Sequence, residues 1–281
     1  MRGAVAPSRL WMIESRPMER RAFLKTFGIG AVGLGTAFWA GSRNTMRGGC
    51  YLQLGTSISA GTGSTHGGAT PSLIGERLGM FAINGAFPGS SAGQHKLPSL
   101  NPVSLYAIAD AISSGDWSAQ KRTGEPVRDS SLGNLRAMNL PSVTHIALEY
   151  GANDFRYDRP IGSDDDVGSD TFKGALNHSI RLLRNSCPTA RIFLITPWWL
   201  PTQDDRDSDV HPNKLGYFLR DYIGAMLRVA EINRVPCLDL FNSGGVSKTN
   251  YRALTHDGVH PNNWGVLLRA VQISSFISTS V

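Results

Sequence analysis

The chain has 281 residues, which is enough for one large domain or two small ones with a buried core. Its hydrophobic content of 41% and charged content of 18% are typical of a globular protein and exclude a disordered or fibrous chain. The formal net charge of +6 lies in residues 1–49, which carry eight Arg or Lys and two acidic residues. The remainder has twenty residues of each sign, so the composition disfavours nucleic-acid binding.

The N-terminal segment has the pattern of an export signal. Paired arginines precede Ala22-Phe23-Leu24-Lys25, and the seventeen residues from Thr26 to Ser42 contain no charge. Residues 20–25 resemble, position by position, the R-R-x-F-L-K form of a twin-arginine (Tat) signal. The resemblance implies that residues 1–47 are a signal segment and linker bound by the Tat export machinery. Residues 48–281 would then act in the periplasm or outside the cell, anchored to the membrane if the signal is not cleaved.

The cysteines give no sign of a disulfide scaffold or a metal site. Cys50, Cys187 and Cys237 are few and scattered, and no pair has C-x-x-C spacing. One disulfide would be compatible with export, but the sequence does not select a pair, and buried free thiols are the simpler interpretation. No cluster of His, Cys and acidic residues has the spacing of a catalytic metal site, so we expect neither a metal nor a cofactor.

Short apolar runs alternate with amphipathic stretches throughout the body of the chain. Runs bounded by Gly or Pro predict buried parallel strands at 51–54, 80–83, 145–150, 192–195 and 235–240. Helical patterns lie between or after them at 71–78, 103–113, 171–185, 214–233 and 263–277. This alternation predicts one α/β domain, a three-layer α/β/α sandwich around a five-stranded parallel sheet.

A set of chemically suited residues follows the predicted strands. In an open parallel sheet, reactive residues gather beyond the carboxyl ends of the strands. Ser57 would be a nucleophile there, His260 its base, and Asp257 the acid that orients the imidazole. The backbone N–H groups of Ser57 and Gly89 and the side-chain amide of Asn153 would form an oxyanion hole.

The four sequence blocks that carry these residues resemble those of the SGNH (GDSL-type) hydrolase superfamily. They are Gly55–Ser59, Gly89, Gly151–Asp154 and Asp257–Pro261, and the resemblance spans residues 51 to about 270. It implies a flavodoxin-like α/β/α fold and ester hydrolysis through an acyl-enzyme. Thr56 stands where the family usually has Asp, which removes a charge beside Ser57 but not the acid that pairs with the histidine.

A different nucleophile is also conceivable from the sequence. Gly89-Ser90-Ser91-Ala92-Gly93 matches the G-x-S-x-G elbow of the α/β-hydrolase fold, and His66-Gly67-Gly68 faintly resembles its oxyanion motif. That elbow must open a helix directly, whereas Pro98 and Pro102 follow closely. His211, in a polar loop, is a second candidate base.

Two further features have both a functional and an ordinary interpretation. Trp198 and Trp199 follow the fourth predicted strand and could bind substrate by stacking on a sugar or lining an acyl pocket, or could simply pack. The acidic stretches 164–166 and 204–205 could hold calcium, but they lack the spacing of a calcium loop, and solvated loops are the simpler interpretation.

The sequence therefore predicts an exported serine esterase or acyl hydrolase. Its substrate would be a small-molecule or polysaccharide ester, with short acyl or O-acetyl groups on carbohydrate, or a lipid ester. Two alternatives stay open: a carbohydrate O-acyltransferase that uses the same site, and a non-catalytic binding protein of the cell envelope. The oligomeric state is left open.

Overall fold

A computed structural model of the protein describes residues 48–64 and 70–280. The predicted signal segment, its boundary at residue 47, and His66-Gly67-Gly68 lie outside the described residues. Among the helices that are described, none is long and apolar enough to cross a membrane.

Five strands form a single parallel sheet. They are β1 Cys50–Gly55, β2 Phe81–Asn84, β3 Val143–Glu149, β4 Arg191–Ile195 and β5 Cys237–Leu238. Their order in the sheet is β2-β1-β3-β4-β5, the flavodoxin-like order. The five-stranded α/β fold predicted from the apolar runs is confirmed, and each run contributes residues to one strand.

Helices connect the strands. In chain order they are α1 Ser57–Ala60, α2 Thr70–Leu78, α3 Leu105–Ser114, α4 Pro126–Arg136, α5 Ala152–Arg156, α6 Phe172–Ser186, α7 Leu219–Asn233, α8 Leu240–Ser243, α9 Tyr251–Leu254 and α10 Asn263–Thr279. Two 3₁₀ helices, Pro98–Val103 and Leu140–Ser142, precede α3 and β3. Helix α2 packs against α10, and α6 packs between α3 and α7, so both groups of helices bury apolar faces around the sheet.

The register of the sheet aligns the strand ends that matter for function. Gly55 of β1 pairs with Glu149 of β3, which in turn pairs with Ile195 of β4, and Ile195 pairs with Leu238 of β5. The residues that follow these strands therefore emerge at one edge of the sheet. The first and third sequence blocks, at the ends of β1 and β3, therefore lie side by side.

Among the helices of nine or more residues, two differ from the sequence prediction, and the short helices α1, α5, α8 and α9 were not among the predicted stretches. The pattern at 214–233 predicted a helix from residue 214, but α7 begins at Leu219 because the preceding segment is a turn held by Asn213. The side-chain oxygen of Asn213 accepts hydrogen bonds from the backbone N–H groups of Leu215 and Tyr217, at 3.0 and 3.1 Å. Helix α4 was not predicted, since its buried side has only Ser131, Leu132 and Leu135.

The three cysteines are free thiols in the structure. Cys50 and Cys187 are buried, and Cys237 is partly buried at the start of β5. Burial raises the pKa of each thiol, to about 12 for Cys237, so these side chains act as packing groups and not as nucleophiles.

Candidate active site

Ser57 lies at a sharp strand-to-helix turn. It is the first residue of α1, separated from the end of β1 by Thr56 alone. Thr56 is buried, and its side-chain oxygen accepts a hydrogen bond from the backbone N–H of Ile58 at 3.4 Å, which caps the helix. The threonine thus performs the capping that an aspartate could perform at this position. The partly buried Ser57 faces the edge where the strands end.

His260 and Asp257 complete a hydrogen-bonded chain with Ser57. His260 Nε2 lies 2.8 Å from Ser57 Oγ, and His260 Nδ1 lies 2.6 Å from Asp257 Oδ2. Since an ionised carboxylate can only accept, Nδ1 carries the proton and the neutral Nε2 accepts from the serine hydroxyl. The structure therefore brings the three predicted catalytic residues together, across 203 residues of sequence between serine and histidine.

Asp257 is held in its charged form. Partial burial disfavours the carboxylate, but the backbone N–H and the ring of His260, with the backbone N–H of Val259, lower the pKa of Asp257 to about 2. Its Oδ1 accepts from the backbone N–H groups of Val259 and His260 at 3.0 and 2.8 Å. The carboxylate therefore remains ionised throughout the pH range in which a histidine base works.

The turn after α1 packs closely against the histidine loop. Gly63 has a φ of +89°, and a Cβ at this position would lie 3.1 Å from the Cβ of His260 and 3.3 Å from that of His256. Only glycine adopts this backbone conformation without strain and also allows the approach. Gly63 was not singled out in the sequence, where it is one glycine in a small-residue stretch.

Gly89 lies in a loop that is fastened to the end of β1. The backbone carbonyl of Gly55 accepts from the backbone N–H of Phe87 at 2.9 Å and from the hydroxyl of Ser90 at 3.2 Å. Gly89 has a φ of +81°, the left-handed region that favours glycine. Within the described part of the chain, the backbone N–H groups of Ser57 and Gly89 donate to no other atom, so both are available to a ligand.

Asn153 is oriented by the same loop. It lies in the first turn of α5, just after β3, and its amide donates a hydrogen bond to the backbone carbonyl of Ser90 at 2.7 Å. An amide nitrogen has two hydrogens, so one fixes the side chain and the second can serve another acceptor. The structure thus links the residues of the second and third blocks at the same edge as Ser57.

The next residue, Asp154, has a role that the sequence did not reveal. It is fully buried and accepts hydrogen bonds from the backbone N–H groups of Ala92, at 3.0 and 3.2 Å, and Gly151, at 3.1 Å. Burial raises the pKa of Asp154, and these hydrogen bonds and the charge of Arg159 oppose the rise. The carboxyl group thereby joins the Gly89 loop to the start of α5.

The two tryptophans lie inside the protein. Trp198 and Trp199 are only 5% and 7% exposed. The guanidinium of Arg269 lies 4.8 Å from the Trp198 ring centroid, and the rings of Trp199 and Tyr251 are 4.8 Å apart. Neither indole offers an open face on which a sugar could stack, so the structure favours packing over the expected substrate contact.

The alternative nucleophile and base occupy other environments. Ser91 is buried, its hydroxyl donates to the backbone carbonyl of Gly93 at 2.8 Å, and the next helical segment is the 3₁₀ helix Pro98–Val103. An α/β-hydrolase elbow is therefore absent from this described loop. His211 lies in a loop where its Nδ1 is 3.5 Å from a guanidinium nitrogen of Arg206.

The carboxylates of the acidic stretches interact with side chains of the protein itself. The carboxylates make ion pairs or hydrogen bonds: Asp164 with Lys173 and Arg228, Asp166 with Thr171, Asp204 with Arg206, and Asp205 with Arg252. Among the described residues, no group of three or more His, Cys, Asp or Glu could hold a metal ion. These stretches are structured loops.

A buried ion pair lies directly beneath the serine turn. Glu149, the last residue of β3, is 2% exposed and pairs with Arg269 of α10, which is 0% exposed. The carboxylate also accepts from the hydroxyl of Ser59 at 2.7 Å and the amide of Gln53 at 2.9 Å. Ser59 belongs to α1, so the carboxylate fixes the helix that begins at Ser57, the predicted nucleophile.

The ion pair was not predicted, although the sequence contains a signal for it. Glu149 ends an otherwise apolar strand, and Arg269 interrupts the apolar side of α10 between Val266, Ala270 and Ile273. A charged residue at a position that periodicity assigns to the core requires a partner of opposite charge. Two residues of opposite charge that both occupy core positions are therefore candidates for a buried ion pair.

The sequence profile of the GDSL-like lipase/acylhydrolase family matches residues 54–266, which contain all four blocks and the three residues of the hydrogen-bonded chain. The chain belongs to this family. No curated protein matches the sequence.

Solved structures share the fold of this family member at low sequence identity. A possible lipase from Chitinophaga pinensis has a TM-score of 0.56 and 18% identity, covering 82% of this chain and 98% of the other. A carbohydrate esterase of family 2 from Corynascus thermopiles has a TM-score of 0.54 and 16% identity, covering 83% and 66%. A salicylyl-acyltransferase from a tetracycline biosynthetic pathway has a TM-score of 0.52 and 17% identity, covering 84% and 56%.

The Glu149–Arg269 pair generates a stability prediction. Glu149→Gln keeps the shape of the side chain but leaves the buried guanidinium without a countercharge. We expect the free energy of unfolding to fall by about 3–5 kcal/mol, measured by denaturant titration. The control is Glu231→Gln, which removes the exposed carboxylate that pairs with Arg228 at 2.7 Å.

The control should change the free energy of unfolding by less than about 1 kcal/mol, as is usual for exposed pairs. If Glu149→Gln were as stable as the control, the buried pair would not hold this part of the fold together.

Proposed function

We propose that the protein is an exported serine esterase that hydrolyses carboxylic esters through a covalent acyl-enzyme. The observation that carries this proposal is the hydrogen-bonded chain from Asp257 through His260 to Ser57, with spacings of 2.6 and 2.8 Å. Such a chain activates a serine hydroxyl, which is otherwise a poor nucleophile. Membership of the acylhydrolase family supports an ester as the substrate.

Acylation begins when Ser57 Oγ attacks the ester carbonyl carbon and its proton passes to His260 Nε2. The carbonyl oxygen becomes an oxyanion that accepts hydrogen bonds from the N–H groups of Ser57 and Gly89 and from the Asn153 amide. As the carbon–oxygen bond to the alcohol breaks, His260 returns the proton to the departing alkoxide. Asp257 stabilises the imidazolium and keeps the ring in the productive orientation.

Deacylation repeats the sequence with water in place of the serine. His260 takes a proton from the water as its oxygen attacks the acyl carbon, and then delivers the proton to Ser57 Oγ as the acid is released. The His260 side chain is 22% exposed and that of Asp257 is 47% exposed. This openness supports access of water to the acyl-enzyme, which hydrolysis requires.

The substrate class is proposed as a short acyl or O-acetyl ester on a carbohydrate, or a lipid ester. The solved structures that share the fold include a possible lipase, a carbohydrate esterase and an acyltransferase, so the fold alone does not select one substrate class. A series of p-nitrophenyl esters of increasing acyl length, repeated with an added alcohol acceptor, would separate the acyl preference from transferase activity.

The first prediction concerns the nucleophile. Ser57→Ala should lower kcat for the preferred p-nitrophenyl ester by about 10⁴-fold or more, because no acyl-enzyme can form. Covalent labelling by a fluorophosphonate should also disappear. Ser91→Ala is the matched control and should keep its label and most of its rate. Transfer of the label to Ser91, or no labelling of the parent protein, would contradict the proposal.

The second prediction concerns the oxyanion. Asn153→Ala should lower kcat by about 10²–10³-fold with little change in KM, because the amide donates most strongly when charge develops on the carbonyl oxygen. Asn134→Ala is the control, since its amide also donates to a backbone carbonyl, that of Asn84, at 3.0 Å. Melting temperature is measured on the same preparations. A stable Asn153→Ala protein with the parent kcat would remove Asn153 from the oxyanion hole.

The third prediction concerns export. We propose that the Tat machinery carries the folded protein across the cytoplasmic membrane, on the strength of the Arg20-Arg21-Ala22-Phe23-Leu24-Lys25 sequence. Replacing both Arg20 and Arg21 by Lys keeps the charge but should leave the protein in the cytoplasm, as measured by cell fractionation. Unchanged export of the double variant would refute the Tat assignment.

A further inference from the structure

A second polar recess adjoins the candidate active site. It is a cavity of about 560 Å³, which we call the cationic pocket, and its lining includes Lys96, Arg156, Thr202, Asp204, Arg206 and Lys214. This volume would accommodate a small organic acid or one sugar unit. The wall is formed by the end of α5 and by the loop that follows Trp199.

The cationic pocket is close to the reacting groups on two sides. Arg156 lies three residues after Asn153 in α5, which is about one helical turn, or ~5 Å along the axis. On the other side, a Cβ at Gly258, in the loop between Asp257 and His260, would lie 3.8 Å from Asp205 Oδ1. Asp205 belongs to the same loop as the lining residues Thr202 and Arg206. An ester bound at Ser57 could therefore extend into this pocket.

The carboxylates around the pocket already have cationic partners. Three ion pairs of 2.6–2.8 Å involve them: Lys96 with Asp158, Arg206 with Asp204, and Arg252 with Asp205. Asp257, on the catalytic side, is paired with His260. Asp158, Asp204 and Asp205 are thus each paired with a cation other than Arg156.

Within the described residues, two cations of the lining have no ion pair, Lys214 and Arg156; Lys214 is exposed, and only Arg156 is partly buried. The only hydrogen bond of Arg156 within the described residues is from NH1 to the backbone carbonyl of Pro201 at 3.3 Å, although a guanidinium has five N–H donors. The residue is partly buried, and burial lowers the pKa of Arg156 while the charges of Asp257, Asp205 and Asp204 raise it. The N–H donors that Arg156 does not use within the protein can bind an anion that enters the pocket.

We infer that the cationic pocket binds a negatively charged group of the ester substrate, and that Arg156 is the residue that selects it. The group would be a carboxylate, or a sulfate or phosphate, on either the acyl or the alcohol side of the ester. Arginine suits this role because its planar donors bind the paired oxygens of such anions. The inference rests on the proposed esterase activity and narrows its substrate class to acidic esters.

The test compares esters that differ by one charge. On the acyl side the pair is 4-nitrophenyl butyrate and mono-4-nitrophenyl succinate, and on the alcohol side it is phenyl acetate and 4-acetoxybenzoate. For each pair, the charge preference is the ratio of kcat/KM for the anionic ester to that for the neutral ester. We expect this ratio to exceed one for the ester pair whose charged group reaches the pocket. Added salt should lower the ratio.

Arg156→Gln should lower that preference by about 10- to 100-fold, which is the size of a lost hydrogen bond to a charged group. Arg156→Lys keeps the charge without the planar pair of donors and should retain an intermediate preference. Arg184→Gln is the matched control, because Arg184 also donates to a backbone carbonyl, that of Asn233, at 2.7 Å, but lies on α6. It should leave the preference unchanged.

The outcomes separate this inference from the proposed function. If the parent protein hydrolyses the neutral esters but shows no charge preference, or if Arg156→Gln lowers kcat/KM for both members of each pair equally, the inference fails and the esterase proposal stands. If no ester is hydrolysed and the fluorophosphonate does not label Ser57, both fail. Should Arg156→Gln not fold, the salt dependence of the parent protein and the Arg156→Lys ratio still decide the question.

Discussion

The buried carboxylate of Glu149 is the constraint on which the candidate site depends. It ends β3 in the middle of the sheet and contacts three other elements: β1 through Gln53, α1 through Ser59 and α10 through Arg269. The nucleophile begins α1, and the histidine loop leads directly into α10. The buried carboxylate of Glu149 therefore links the segment that carries Ser57 to the segment that carries His260. The distance between these two residues must match a single hydrogen bond. Separating a buried ion from its countercharge costs free energy, so the Glu149–Arg269 pair keeps α1 and α10 in place relative to the sheet.

Asp154, in the helix that follows β3, has a comparable structural role. It links the backbone of Ala92 to that of Gly151, while Asn153 bonds to the carbonyl of Ser90. The proposed oxyanion donors thus come from loops that are joined by hydrogen bonds within the protein itself. Preorganised donors are effective because little free energy is spent in orienting them during the reaction. The two buried carboxylates hold separate halves of the candidate site at one edge of the sheet: Glu149 holds the proposed nucleophile, and Asp154 holds the proposed oxyanion donors.

The strands of the sheet and the residues of the candidate site both leave local signals in the sequence. Apolar runs ended by Gly or Pro indicate strands, and the rule that parallel strands end at one edge brings distant blocks together. The sequence did not reveal the Glu149–Arg269 pair, whose members are 120 residues apart, or the close approach of Gly63 to His260. The position of Trp198 was apparent but its burial was not, because Arg269 arrives from the last helix to cover the ring. Contacts between remote segments decide such features, and no window of sequence contains them.

The central claim is that an acyl group passes through Ser57. The most direct measurement is to mix the protein with a p-nitrophenyl ester, quench with acid before one turnover is complete, and locate the acyl group by peptide mass mapping. The account predicts a stoichiometric acyl group on the peptide that contains Ser57, with a burst of nitrophenol of the same size. Hydrolysis without any acylated peptide, or with the acyl group on another residue, would contradict it.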